Sequence, residues 1–138
     1  MSLPGRSDAA PLVLLETPLR LSVCRYAPDA SLPGIAHLRG TAFWSITRTP
    51  DELSVVCDED RVPNGDARIE TGWRAFMIEG PLPFGLTGVV SGITSPLAEA
   101  GVPVFVISTF DTDWLLVKDA DLARTRTILS ERFEVRGT

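Results

Sequence analysis

Histidine is nearly missing from this chain: His37 stands alone among 138 residues. A metal centre or catalytic pair built on several imidazoles is thereby excluded. Cysteine is almost as scarce. Cys24 and Cys57 form no CxxC motif and each sits in an apolar, strand-like run, which predicts buried reduced thiols rather than a disulfide framework or a metal site. Positive charge is in deficit, with 13 Lys and Arg against 18 Asp and Glu for a net charge of −5. A nucleic-acid partner would require a basic face that this composition does not supply. No apolar run approaches the roughly 20 residues needed to cross a bilayer. The opening MSLPGRSDAAP has no apolar signal core. These deficits predict a soluble cytoplasmic protein that uses no metal or cofactor and binds neither nucleic acid nor membrane, with residues 1–10 as a disordered leader.

What is present is ordinary globular composition: 44% hydrophobic and 22% charged residues, enough for one domain or two very small ones. The most informative stretch is Ile107–Val117. Val104-Phe105-Val106-Ile107 and Trp114-Leu115-Leu116-Val117 are β-branched and aromatic runs of the kind that form buried strands. Between them lie Ser108, Thr109, Phe110, Asp111, Thr112 and Asp113. Hydroxyl and carboxylate turns that close a hairpin are one reading of that polarity; the lip of a small-molecule pocket is the other.

Along the chain, Pro11–Glu16 is a short apolar run, and Leu19–Tyr26 alternates as a half-buried strand does. Pro28–Gly40 reads as a short helix closed by glycine. Phe43–Thr47 and Glu52–Cys57 read as a hairpin around Thr49-Pro50-Asp51, and polar Asp58–Glu70 as a loop dividing two halves. Trp73–Gly80 alternates as a strand. From Leu86 the spacing of Val89, Val90, Ile93, Leu97 and Ala100 predicts a helix, kinked at Pro96 and ended by Gly101. After the second hairpin, Asp119 or Asp121 is placed to cap a helix carrying Leu122, Thr125, Ile128 and Leu129, followed by a strand at Phe133–Val135. The second half thus reads β-α-β-β-α-β and the first β-α-β-β with a degenerate helix. The expected fold is α+β: two ferredoxin-like units with antiparallel sheets, at 11–71 and 72–138, the first degenerate.

An internal repeat accompanies this division. Setting Phe43–Thr47 over Val104–Ser108, an offset of 61 residues, brings Glu52 onto Asp113, Asp58 onto Asp119 and Asp60 onto Asp121.

The runs Trp44–Cys57, Gly72–Arg74, Ile78–Val90, Pro96–Val102 and Ile107–Val117 together resemble the small tandem ACT-domain proteins. These are stand-alone amino-acid-binding ACT proteins of bacteria, similar to cytosolic arginine sensors of the CASTOR type. The resemblance extends from about Leu12 to Leu129 and implies two ACT-like units, no catalysis, and an effector amino acid held between ACT units. It implies a ligand neighbourhood formed by Phe84, Gly85, Leu86, Thr87, Gly88 and Val89 together with Thr109, Phe110 and Asp113. The arginine sensors carry acidic residues in the loop where this chain has Gly85 and Leu86, so a neutral or apolar amino acid fits here at least as well as arginine.

Elementary chemistry asks for the same parts. A zwitterion needs anion donors and a carboxylate within a few ångströms. The bend Phe84–Gly88 offers glycines and the amides of a helix start, and Asp111 or Asp113 offers an acceptor for the ammonium group. The same glycines also suit close packing of helix on sheet. A ligand-free oligomerisation module is the alternative to an amino-acid sensor, and edge strands in either case predict a homodimer. An enzyme would have to draw on His37 and Cys57, which nothing brings together, or on Asp58, Glu59 and Asp60, which suit a solvated turn. The segment GLTG lacks the lysine and length of a phosphate loop.

Overall fold

The computed structural model describes residues 12–31, 38–82 and 87–138. Its strands are β1 (Val13–Tyr26), β2 (Trp44–Arg48), β3 (Leu53–Asp58), β4 (Arg68–Ile78), β5 (Phe105–Ser108), β6 (Asp113–Lys118) and β7 (Glu134–Gly137). Its helices are α1 (Val89–Glu99) and α2 (Leu122–Ser130), with 3-10 turns at Glu59–Arg61 and Asp119–Asp121. The helix expected over Pro28–Gly40 has its centre, 32–37, outside the described residues.

Two compact units emerge: the described part of Met1–Pro18 together with Arg74–Thr138, and Leu19–Trp73. The division therefore falls inside β1 and β4, and residues before Leu19 group with the C-terminal half rather than with the first. Two local readings explain the difference. The apolar run Pro11–Glu16 and the alternating run after Leu19 are one 14-residue strand. Pro18 supplies no amide donor to that strand, and the neighbouring Thr17 hydroxyl donates to the Ala75 carbonyl at 2.9 Å. Likewise β4 begins at Arg68, inside the stretch expected to be loop. Its first four residues are exposed on both faces and so carry no alternating pattern to read.

In the unit containing Arg74–Thr138 the strand order is β7-β1-β4-β6-β5. A plain ferredoxin-like motif would lay its last strand beside its first. Here Val13–Glu16 of β1 is the parallel partner of β7, with Val13 opposite Glu134 and Glu16 opposite Gly137, and β1 in turn adjoins β4. Both helices cover one sheet face. Leu14, Phe76, Ile78, Leu115 and Val117 from the strands and Val89, Ile93, Leu97, Leu122 and Leu129 from the helices form a single buried cluster. Phe76 and Ile78, and Leu115 and Val117, are two residues apart, as the alternation of a strand demands.

Helix α1 obeys the 3.6-residue period, burying Val89, Ile93, Pro96 and Leu97. It runs through Pro96 to Glu99. Its end is a Schellman motif: Gly101 has φ +73°, and the Gly101 and Val102 amides donate to Ala98 at 3.0 Å and Leu97 at 2.9 Å. Helix α2 begins differently from expectation, because Asp121, the residue before it, makes no side-chain capping bond. Asp119 pairs instead with Arg74 at 2.9 Å and Asp121 with Arg124 at 3.2 Å, so the carboxylates are engaged by guanidinium groups.

In the other unit β1 pairs antiparallel with β3 and β3 with β2, over a cluster of Cys24, Tyr26, Leu38, Leu53, Val55 and Cys57. The two hairpins follow the same plan at an offset of 60 residues, not 61: β3 and β6 start at Leu53 and Asp113, and the 3-10 turns at Glu59 and Asp119. Asp113 thus corresponds to Leu53, and the acids that coincide are Asp51 with Asp111 and Glu59 with Asp119. Two hydrophobic runs can be slid by one residue without visible penalty in sequence; backbone pairing removes that freedom.

Two outcomes test this description. Gly101→Ala should cost about 1 kcal/mol in urea unfolding, because a side chain is strained at positive φ, although its Cβ would meet nothing within 4 Å. The second concerns Glu16, which accepts two bonds from Arg126 at 2.6 and 2.9 Å. Those bonds hold its carboxyl below the usual carboxylate range against the opposing effect of burial. A depressed folded value contributes stability above the unfolded value of about 4.3 and loses it as pH falls through the folded one. Glu16→Gln should therefore lower the melting temperature at pH 7, and its gap to wild type should close in acid.

Candidate functional site

The end of the β5–β6 hairpin is closed by its own hydroxyl groups. Ser108 lies opposite Asp113 in the ladder, and beyond that pair the chain turns through Thr109, Phe110, Asp111 and Thr112. The Thr109 amide and hydroxyl both donate to the Thr112 carbonyl, at 2.8 and 3.0 Å, and the Thr112 amide donates back to the Thr109 hydroxyl at 3.3 Å. Ser108 Oγ donates to Asp113 Oδ1 at 2.5 Å, which fixes one carboxylate oxygen by a charge-assisted bond. The buried Thr112 hydroxyl donates to the Ile78 carbonyl at the end of β4, 2.6 Å away. All three hydroxyls expected at this lip therefore have partners within the fold, so their role is to shape it.

Across from the hairpin stands the start of α1. Gly88 takes φ +78° as the residue before the helix, a conformation that glycine adopts without penalty. Its carbonyl accepts the Gly92 amide at 3.0 Å and the Ser91 hydroxyl at 3.2 Å. The amides of Val89, Val90 and Ser91 belong to the first turn, where no preceding helical carbonyl reaches them, and the helix dipole adds partial positive charge there.

Between these two elements, within one unit, lies a cavity of about 420 Å³ lined by Leu82, Gly88, Val89, Val90, Ser91 and the whole of Ser108–Asp113. Of the residues expected at a ligand site, Gly88, Val89, Thr109, Phe110, Asp111 and Asp113 meet here. Thr87 is exposed and not among the lining residues. Phe84, Gly85 and Leu86 lie outside the described residues. Leu82, Val90 and Ser91 were missed by sequence reasoning, whereas Ser108 and Thr112 were expected at the lip of the pocket without being assigned to the ligand. Leu82 was not recoverable, because only its contact with the hairpin places it.

The wall chemistry is mixed. Leu82, Val89 and Val90 are apolar, Asp111 and Asp113 are carboxylates, and no lysine or arginine is among the described lining residues. Asp113 is half-buried, whereas Phe110 is 78% exposed at the turn tip. Such a surface can accept a cation at one wall and meet an anion at the helix start.

The catalytic alternatives are not assembled at this cavity. His37 is outside the described residues. Cys57 is buried in the other unit, and its hydrogen bond with Cys24, followed by burial, pushes its thiol far up. Asp58 accepts the Ala42 amide at 3.1 Å and Glu59 the Gly72 amide at 3.2 Å, so these acids tie down backbone. Among the described residues no group of three or more His, Cys, Asp and Glu could hold a metal ion. No described helix is long and apolar enough to cross a membrane.

Comparison with known proteins agrees with this fold. A crystal structure of the Agobacterium tumefaciens protein Atu0741 is 38% identical, covers 94% of this chain and 96% of its own, and superposes with a TM-score of 0.82. The chain belongs to the same family as that protein. Residues 68–131 match the family model for the ACT domain, and residues 20–65 match a separate model for an N-terminal domain. The Bos taurus protein named cytosolic arginine sensor for mTORC1 subunit 1 is 28% identical over 103 residues, which are 67% of this chain. The match spans only 31% of the sensor's length. The regulatory subunit of aspartate kinase from Thermus thermophilus shares the fold, with a TM-score of 0.56 at 14% identity, over 84% of this chain and 94% of its own. All of the cavity lies inside the ACT-domain match.

The burial of both thiols can be checked in solution. At pH 8 a thiol reagent should label Cys24 and Cys57 only as fast as the protein opens, and both at once in denaturant. Rapid stoichiometric labelling of the native protein would contradict their placement.

Proposed function

We propose that this protein is a non-catalytic regulator that binds a free amino acid in the cavity between the β5–β6 turn and the start of α1. The observation that carries this reading is the meeting, on one cavity, of the Asp111 and Asp113 carboxylates with a helix N-terminus. The two poles of a zwitterion require that pair. The ammonium group is assigned to Asp113, whose Oδ1 is already held by Ser108, and the α-carboxylate to the first-turn amides of α1. A cavity of about 420 Å³ lies within the roughly 300–1,000 Å³ common for small-molecule sites. Leu82, Val89 and Val90 would receive a neutral or apolar side chain. The names of the relatives, an arginine sensor and a regulatory subunit of aspartate kinase, support the same class of ligand.

The wider reading is of two ACT-like units, nominally 11–71 and 72–138, in a homodimer, with the effector held where ACT-like units of two copies meet. Support for the dimer comes from β5, which ends its sheet and exposes Val106, since such an edge invites pairing with another chain. Binding would then shift association of the chain with itself or with a regulated partner. Coupling of this kind is typically about 1–3 kcal/mol.

A thermal-shift screen against the twenty amino acids tests the reading. One or a few should raise the melting temperature, with stabilisation of about 2.7 kcal/mol at a hundredfold excess over Kd. Asp113→Asn should weaken that response by about tenfold or more, as the loss of a hydrogen bond to a charged group implies. A flat response of the wild-type protein to all twenty would overturn the proposal.

A further inference from the structure

The hairpin turn is fastened to the end of β4 at two points that the amino-acid-binding reading does not require. The Thr112 hydroxyl donates to the Ile78 carbonyl at 2.6 Å, and the Leu82 amide donates to the Asp111 carbonyl at 2.7 Å. Ile78 is fully buried, and Thr112 is 8% exposed. Between the two fastenings sits Gly80. A Cβ on that residue would come within 3.0 Å of the Asp111 carbonyl oxygen and 3.1 Å of the Thr112 Cβ. Contacts this close are tighter than nine in ten that real Cβ atoms make, so a side chain at position 80 would push the turn and the connection apart by a few tenths of an ångström. Gly80 is not at positive φ, so its requirement is one of space alone.

These contacts join one wall of the cavity to another. Leu82 lines the cavity from the connection after β4, and Asp111 and Thr112 line it from the hairpin. The Thr112 hydroxyl is committed to the strand carbonyl of Ile78. A loss of either fastening would let the turn and the connection move apart, and Asp113, next in sequence to Thr112, would move with the turn.

We infer that Thr112 and Gly80 are positioning residues: together they latch the β5–β6 turn to the end of β4 and so set the distance between the carboxylate wall and the rest of the cavity. The inference rests on the proposed function in treating the cavity as a ligand site, but the latch itself is a property of the unliganded chain. Neither residue touches a ligand through its side chain; both act through the placement of Leu82, Asp111 and Asp113. Because latch and ligand order the same wall, their effects are reciprocal: what strengthens one strengthens the other.

Amide hydrogen exchange of the full chain, with no ligand added, reads the latch directly through the Leu82 amide. Thr112→Val retains size and removes the donor, and should speed exchange at Leu82 by about tenfold while leaving Leu115 and Leu116 in β6 unchanged. Thr112→Ser restores the hydroxyl and should return Leu82 close to the wild-type rate. Gly80→Ala, which leaves every hydrogen-bonding group in place, should speed Leu82 exchange through crowding alone. Leu82 exchange at the wild-type rate in both Thr112→Val and Gly80→Ala would overturn the inference, as would equal acceleration of Leu82, Leu115 and Leu116, which marks general loosening. Each of the twenty amino acids then serves as a probe in thermal shift. Those that stabilise wild type should stabilise Thr112→Ser equally and Thr112→Val at least tenfold more weakly. Equal response of Thr112→Val and wild type would also overturn the inference. Should no amino acid shift the wild type, the proposed ligand class fails while the exchange rates still decide the latch.

Discussion

The backbone pairing of Ser108 with Asp113 is the constraint from which the site follows. A ladder closed at that pair leaves four residues to make the turn, and their amides and carbonyls must find partners on the spot. Thr109 and Thr112 supply part of them from their own backbone and hydroxyl groups, and the Leu82 amide meets the Asp111 carbonyl. The same register sets Asp113 beside a serine hydroxyl. Shifted by one residue, the carboxylate would stand on the opposite face of the sheet.

The cavity depends equally on the packing beneath it. Helix α1 is held by Val89, Ile93 and Leu97 against Phe76, Ile78, Leu115 and Val117. The strands that carry the hairpin thus also seat the helix whose first turn faces it. Gly88 lets the chain enter α1 in a left-handed conformation, and Val89, the first helical residue, is at once core and cavity wall. Stability and site geometry therefore share residues, and the polar groups of the site lie at the rim of an apolar cluster.

The other hairpin shows what the site is not. At the position matching Asp113 it has Leu53, buried at 1% exposure, and at the position matching Ser108 it has Arg48, whose guanidinium donates to the carbonyls of Pro28 and Ala30. Its Thr49 closes the turn much as Thr109 does, accepting from the Glu52 amide at 3.2 Å. The turn chemistry recurs, but the carboxylate–hydroxyl pair does not. The scaffold device is common to both hairpins, and a carboxylate held by a serine hydroxyl in the ladder is found in one.

Local pattern in the sequence determined the elements with strong periodicity: both hairpins, the buried face and glycine end of α1, the apolar positions of α2, and the burial of both cysteines. It also pointed to Gly88 and Thr109–Asp113, which the fold brings to one cavity, because hydroxyls and carboxylates at a turn and glycine at a helix entry are local signals. Only tertiary structure decided the rest. The insertion of Val13–Glu16 between β4 and β7, the extension of β4 through exposed Arg68–Thr71 and the one-residue offset of the hairpins all depend on which backbone groups pair across long separations, which side-chain patterns leave open. The use of Asp119 and Asp121 as partners of arginines, and the bonds from Thr112 to Ile78 and from Leu82 to Asp111, belong to the same class: a hydroxyl, carboxylate or amide has several possible partners in a chain, and folding selects among them by proximity.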